Sequence, residues 1–404
     1  MFESITFKNT VGPGPLLDIG AIAEALVFYG RVSIIGNSAT LKELLTGIPP
    51  FVVLGLLRDK RLEFHYLADQ AAIMSRPTTS GRLSHDLMCF SSPQHTIEKV
   101  GPEAFRAAAG HTGQARVGSS QFTNLLRPLS HEGFDQKAVL ASFLDHRATE
   151  RSVNAVLSLV APGYTKGEPL RFRIEQQKQG FFVDTNLNFD ELNAIYRKTV
   201  PPEHSTLSEA YLLALMQGAY EATYYAATLD SEVAVAPIER VVQSVSVEAV
   251  VQRRTKSEGE IGRFVDLIMN DARTIREAVN SGRVSFLQVV KLLDSADKFR
   301  HWLQEQPVDA ELVRTYYHAV VKDSWADKLP GKSARWAVFT GLGLAADAIG
   351  TAPWGTLGGV SISAVDSFLC EKLISGWKPH QFVESELKTL FVGGQRAGGA
   401  RKGG

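Results

Sequence analysis

The sequence predicts an α+β fold, predominantly α, with a small N-terminal α/β unit (mixed or parallel sheet) packed on a larger helical region that carries one β-hairpin. Three observations support this. β-rich runs alternate with helical patterns over the first third, a pair of alternating runs stands at residues 170–185, and capped helical stripes follow from residue 257.

At 404 residues the chain exceeds the size at which one core stops growing, so several domains are expected. Apolar residues make up 44% and charged residues 21%, which argues against wholesale disorder. Lys plus Arg and Asp plus Glu both number 43, so the chain as a whole lacks the basic field that would indicate a nucleic-acid partner. Cys89 and Cys370 make no disulfide framework and fit a reducing compartment. Met1-Phe2-Glu3-Ser4 opens no secretory leader, so the expectation is a soluble cytoplasmic protein.

The first domain is expected over residues 1–130. Ile5 and Phe7 alternate with Thr6 and Lys8, the pattern of a short strand with one buried face. A Gly- and Pro-rich turn leads to Asp18 as an N-cap, and Ile19, Ile22, Ala23 and Leu26 form a helix face that Gly30 ends. Arg31 to Ile35 reads as a second strand. Gly36-Asn37-Ser38 turns it into a helix bearing Leu41, Leu44, Leu45 and Ile48, which Pro49-Pro50 ends. A short apolar helix from Phe51 to Leu57 precedes a third strand, where Leu62, Phe64 and Tyr66 alternate with Glu63 and His65. Helices between strands leave room for parallel pairing. Residues 68–130 form a weakly patterned insertion. In it, Ser75 to Gly81 reads as loop, Leu87 to Phe90 as strand, Gly101-Pro102-Glu103 as the start of a helix ending at Gly110, and His111 to Ser130 as loop.

Residues 131–256 are expected to be helical around the hairpin. Phe134 to Val160 is one helical stretch, stopped by Ala161-Pro162-Gly163. Leu170, Phe172 and Ile174 alternate with charged residues, the turn lies near Lys178-Gln179-Gly180, and Phe181 to Thr185 returns. A helix runs from near Asn188 through Tyr196. Thr206 and Glu209 then read as a capping box for a long helix through Tyr225, apolar nearly all round and therefore suited to the middle of a core. Residues 257–330 predict three antiparallel helices: a stripe from Ile261 to Val279, a stop at Asn280-Ser281-Gly282, a capping box at Ser285 and Gln288, a stripe from Phe286 to Leu303, and a third helix from Asp309 through Val320. Residues 331–392 read as a small-residue helical hairpin and a last helix, and 393–404 as a flexible Gly-rich tail.

The chemical signals are few. Gly36, Asn37 and Ser38, with Lys42 nearby, stand at a strand-to-helix turn whose amides and helix dipole suit a phosphate; the same residues also serve as turn and cap. Neither P-loop nor dinucleotide glycine spacing is present. His85, Cys89 and His95 fall short of the four ligands of a structural zinc site, so no metal is assigned. Asp145-His146-Arg147, Glu150 and Arg151 read as a solvated charged helix face. Trp336 and Trp354 lie in residues 336–365, whose sole charge is Asp347 and whose small residues suit either a buried helix pair or a membrane or partner contact.

These readings predict a macromolecular interaction or regulatory component without its own catalysis, working with a protein partner or a second copy. One alternative is a phosphate- or nucleotide-handling enzyme built on the N-terminal unit, with polar residues converging around Asn37 and His65. The other is a membrane-associating effector acting through residues 336–365. No catalytic residue and no cofactor is assigned.

Overall fold

The computed structural model describes residues 3–246, 275–305 and Phe382, apart from 10–14, 92–94, 165–167, 235–236 and positions 111, 133, 135, 179 and 203. The expected stripe before residue 275, the helix at 309–320, Trp336, Trp354 and the Gly-rich tail fall outside these residues. The chain divides into two compact units. The larger takes residues 4–19 and 31–255, the smaller residues 1–3, 20–30 and 256–404.

The N-terminal reading holds element by element: β1 (Ser4–Lys8), α1 (Ile19–Phe28), β2 (Arg31–Gly36), α2 (Ser38–Gly47), α3 (Pro50–Arg58) and β3 (Leu62–Leu67). Of the expected loop at 75–81, residues 78–81 are the turn, but Ser75 to Pro77 instead end β4 (Asp69–Pro77), which pairs with β5 (Leu83–Ser91) over its whole length. Pro77, lacking an N–H, is tolerated because it ends an edge strand. A tight turn, closed by the Thr78 N–H on the Arg82 carbonyl, joins the two strands.

α4 (Ile97–Ala109) begins earlier than expected and carries Pro102 inside it. The loop expected at His111 to Ser130 is largely α5 (Gly113–Leu125) followed by β6 (Arg127–Leu129). Thr112 caps α5 by accepting from the Ala115 N–H, and its buried face is Ala115, Gly118, Ser119 and Phe122. Small and polar residues on an inward face hide the helical period. The stretch from Phe134 to Val160 is two helices, α6 (Gln136–Leu144) and α7 (His146–Val160), because the Asp145 side chain caps the second by accepting from the Ala148 N–H.

The predicted hairpin is β7 (Phe172–Gln176) and β8 (Phe181–Thr185), followed by α8 (Phe189–Tyr196) with Asn188 as cap. The long helix is α9 (Glu209–Thr228). Its cap is Ser208, which accepts from the Tyr211 N–H, rather than Thr206, so Glu209 opens the helix instead of closing a capping box. β9 (Glu232–Ala234) and α10 (Pro237–Ser246) complete the larger unit.

β6, β3, β2, β1 and β9 form, in that order, a parallel sheet; β4, β5, β8 and β7 form a second, antiparallel one. The parallel register puts Ile5, Phe7, Val32, Ile34, Leu62, Phe64 and Tyr66 on one face, and Thr6, Lys8, Ser33, Ile35, Glu63 and His65 on the other. The alternation predicted one buried face, yet both are buried, the polar one included. Over β1 and β9 the cover is α9, apolar around most of its circumference, which also packs on β4. Among the described residues no single helix is long and apolar enough to cross a membrane.

In the smaller unit, α1 is joined by α11 (Ile275–Asn280), α12 (Phe286–Val290) and α13 (Leu293–Gln304). The predicted Ser285–Gln288 capping box is formed. The stripe from Phe286 to Leu303 is split between two helices, because the Leu292 N–H turns back to the Val289 carbonyl. The Gly20 N–H donates to Asn280 Oδ1 at 2.8 Å, a close approach that a Cβ on Gly20 would block. Buried Arg300 donates to the Leu26 and Leu293 carbonyls, each at 2.9 Å.

Candidate functional site

Loops at the carboxyl ends of parallel strands are where α/β sheets bind ligands, above all where the strand order reverses. Here the chain fills the sheet from β1 outward to β6 and then returns to place β9 on the other side of β1, so the reversal lies between β1 and β9. Lys8 is the last residue of β1, on the polar face beneath α9.

Lys8 Nζ lies 2.7 Å from Glu221 Oε2, with both side chains more than nine-tenths buried. Gln217, one turn earlier on α9, donates its amide to Glu221 Oε1 at 3.1 Å. His131, just after β6, brings its ring to the same carboxylate, with Nε2 3.9 Å from Glu221 Oε1. Its Nδ1 is 2.7 Å from the Tyr225 hydroxyl, and its backbone N–H is 3.5 Å from Asp69 Oδ2 at the start of β4. Four segments thus converge on one buried polar cluster: the ends of β1 and β6, the junction of β3 and β4, and α9.

Burial holds the Tyr225 phenol well above its ordinary pKa, and the Glu221 charge adds to that. The phenol therefore stays protonated and donates to His131 Nδ1, which leaves the imidazole hydrogen on Nε2. Burial pushes His131 below its ordinary value despite the opposing pull of Glu221, so the ring is neutral at pH 7. Neither His131 Nε2 nor Gln217 Oε1 has a hydrogen-bond partner, although both are buried. A buried donor and acceptor without hydrogen-bond partners, beside an ion pair, are groups that an ordered water or a polar ligand would satisfy. Burial, followed by the charges of Asp69 and Glu221, raises the exposed Cys89 thiol and keeps it protonated rather than nucleophilic.

The structure distributes the sequence-predicted site residues differently. Gly36 ends β2, and Asn37 caps α2: its Oδ1 accepts from the Ala39 and Thr40 N–H groups at 3.0 and 3.2 Å. The amides that would hold a phosphate are thus engaged by the chain itself. Lys42 is exposed and lies 3.9 Å from Glu103. His65 lies on the polar face, where Nε2 is 3.4 Å from Glu63 and Glu63 also pairs with Arg127 at 2.9 Å; burial lowers its pKa against the pull of Glu63. His146 Nε2 meets the Ile174 carbonyl at 3.1 Å, and Glu150 pairs with Arg173 at 3.5 Å. Among the described residues no group of three or more His, Cys, Asp or Glu is placed to hold a metal.

The chain was also compared with protein families, curated proteins and solved structures, and no match was found.

Sequence reasoning missed Lys8, His131, Glu221 and Tyr225. Lys8 stood as the polar partner in an alternating strand, and Glu221 lies well inside an apolar helix whose other acid, Glu209, stands at its head. That interior carboxylate was the available signal, because a buried acid requires a partner.

Proposed function

We infer that the larger unit binds a small polar ligand at the carboxyl end of β1 and transfers a proton to or from it through His131 and Glu221. The observation that carries this reading is the buried His131 Nε2–H, which has no hydrogen-bond partner and sits beside the Lys8–Glu221 pair at the reversal of strand order. The ligand presents a hydrogen-bond acceptor, such as a carbonyl or phosphoryl oxygen, to His131 and a donor to Gln217. This reading keeps the phosphate- or nucleotide-handling enzyme built on the N-terminal unit, but moves its site from the head of α2 to the end of β1. The test is a thermal-shift panel of nucleotides, sugar phosphates and small carboxylates against the wild type and His131→Gln. At least one compound should raise the wild-type Tm and leave the variant unmoved; a panel that stabilises both equally, or neither, overturns the reading.

A second reading, protein binding, is supported by the β4–β5 hairpin. Met74 and Phe90 are 41% and 39% exposed on the face opposite α9, and β4 is the edge of its sheet. A partner or second copy bound there would be lost on Met74→Lys with Phe90→Lys, as read by light scattering and co-purification.

A further inference from the structure

A second polar set lies at the head of α9, about three turns before Glu221. Ser75 and His85 are paired across the hairpin, with Ser75 exposed and His85 buried to 1% exposure. Ser75 Oγ is 2.9 Å from His85 Nδ1, and His85 Nε2 is 2.9 Å from Glu209 Oε2 in the first turn of α9. α9 packs along β4. It rises about 18 Å from Glu209 to Glu221, and β4 covers about 20 Å from Ser75 back to Asp69. The head and the middle of one helix therefore serve two separate clusters.

The tautomer follows from the partners. A carboxylate only accepts, so the His85 hydrogen resides on Nε2, Nδ1 presents its lone pair, and the Ser75 hydroxyl donates to it. The ring is held in that orientation. Phe181 lies against it in a tilted arrangement at 5.8 Å between ring centres, and Gly180, with φ 76°, brings the β7–β8 turn so close that a Cβ there would lie 2.3 Å from the His85 carbonyl oxygen. A hydroxyl held on a base, with the base fixed by an acid, is the wiring of an activated nucleophile. A histidine serving only as filler would need no solvent-accessible hydroxyl as its partner.

We propose that Ser75, His85 and Glu209 form a nucleophilic serine site for carboxylic esters, independent of the cluster at the end of β1. Ser75 Oγ bonds to the acyl carbon while its proton passes to His85 Nδ1, and Glu209 stabilises the imidazolium. The ester C–O bond breaks, and the leaving alkoxide takes that proton. Water, giving its proton to the same nitrogen, then attacks the acyl-serine; the acid departs and Ser75 recovers its hydrogen. Leu83, exposed on the same strand face as His85, offers apolar surface to the acyl chain.

The experiment treats the full-length chain with a fluorophosphonate and locates the adduct by peptide mass spectrometry. The expected result is phosphonylation at Ser75, at least about tenfold slower in Glu209→Gln, where the acid is lost but its shape kept. An unlabelled Ser75 in the wild type, or labelling at the same rate in Glu209→Gln, overturns the proposal. So does hydrolysis of p-nitrophenyl butyrate at the wild-type rate by Ser75→Ala, a substitution at an exposed position that the fold tolerates.

Discussion

Lys8 and Glu221 meet at 2.7 Å away from water, so the end of the first strand and the interior of the longest described helix are joined by a single ion pair. Removing one partner strands the other charge in the interior. Lys8→Met should cost about 3 to 5 kcal/mol in urea unfolding. The double variant Lys8→Met with Glu221→Leu should recover much of that loss, since an apolar pair replaces the ions. If the single variant unfolds at the wild-type urea midpoint, the pair is not buried as described.

The depressed pKa values of His131 and His65 give stability a definite pH dependence. Both groups bind a proton less readily folded than unfolded, where the ordinary value is 6.5. Stability is then fully present above about pH 6.5 and lost as the pH falls from there through the lowered folded values, because the unfolded chain takes up protons first. Denaturant midpoints between pH 8 and pH 5 should fall on the acid side, and His131→Gln should flatten that fall. A midpoint that rises on acidification would contradict both assignments.

At the head of α2, Asn37→Ala should cost about 1 kcal/mol by removing the acceptor for two amides. In the wild type, inorganic phosphate should leave the Ala39 and Thr40 amide resonances unmoved, since the Asn37 carboxamide already holds them. Shifts confined to those amides would restore this turn as an anion site.

The stretch from β1 to β3 was legible because its period changes are clean. Ile5 and Phe7, the Leu41–Leu44–Leu45 stripe and the Leu62–Phe64–Tyr66 alternation each name one element, and the structure keeps all of them. The Ser285–Gln288 box was equally legible, since both reciprocal bonds depend on residues three apart. α5 was not, because its inward face is built of Ala115, Gly118 and Ser119, which look like loop until Phe51 and Phe105 pack against Gly118. The site was hidden for a related reason. Lys8 reads as the solvent side of a half-buried strand, and α9, about two hundred residues later, packs on that strand and buries it. Contacts of such long range leave no local period.

The most direct test of the central claim is isothermal titration of the best stabilising compound from the panel against the wild type, His131→Gln and Ser75→Ala. The end-of-β1 site predicts that His131→Gln weakens binding at least about tenfold, the cost of one buried hydrogen bond to the ligand, and that Ser75→Ala leaves the Kd unchanged. An unchanged Kd in His131→Gln would show that the compound binds elsewhere and would contradict the account.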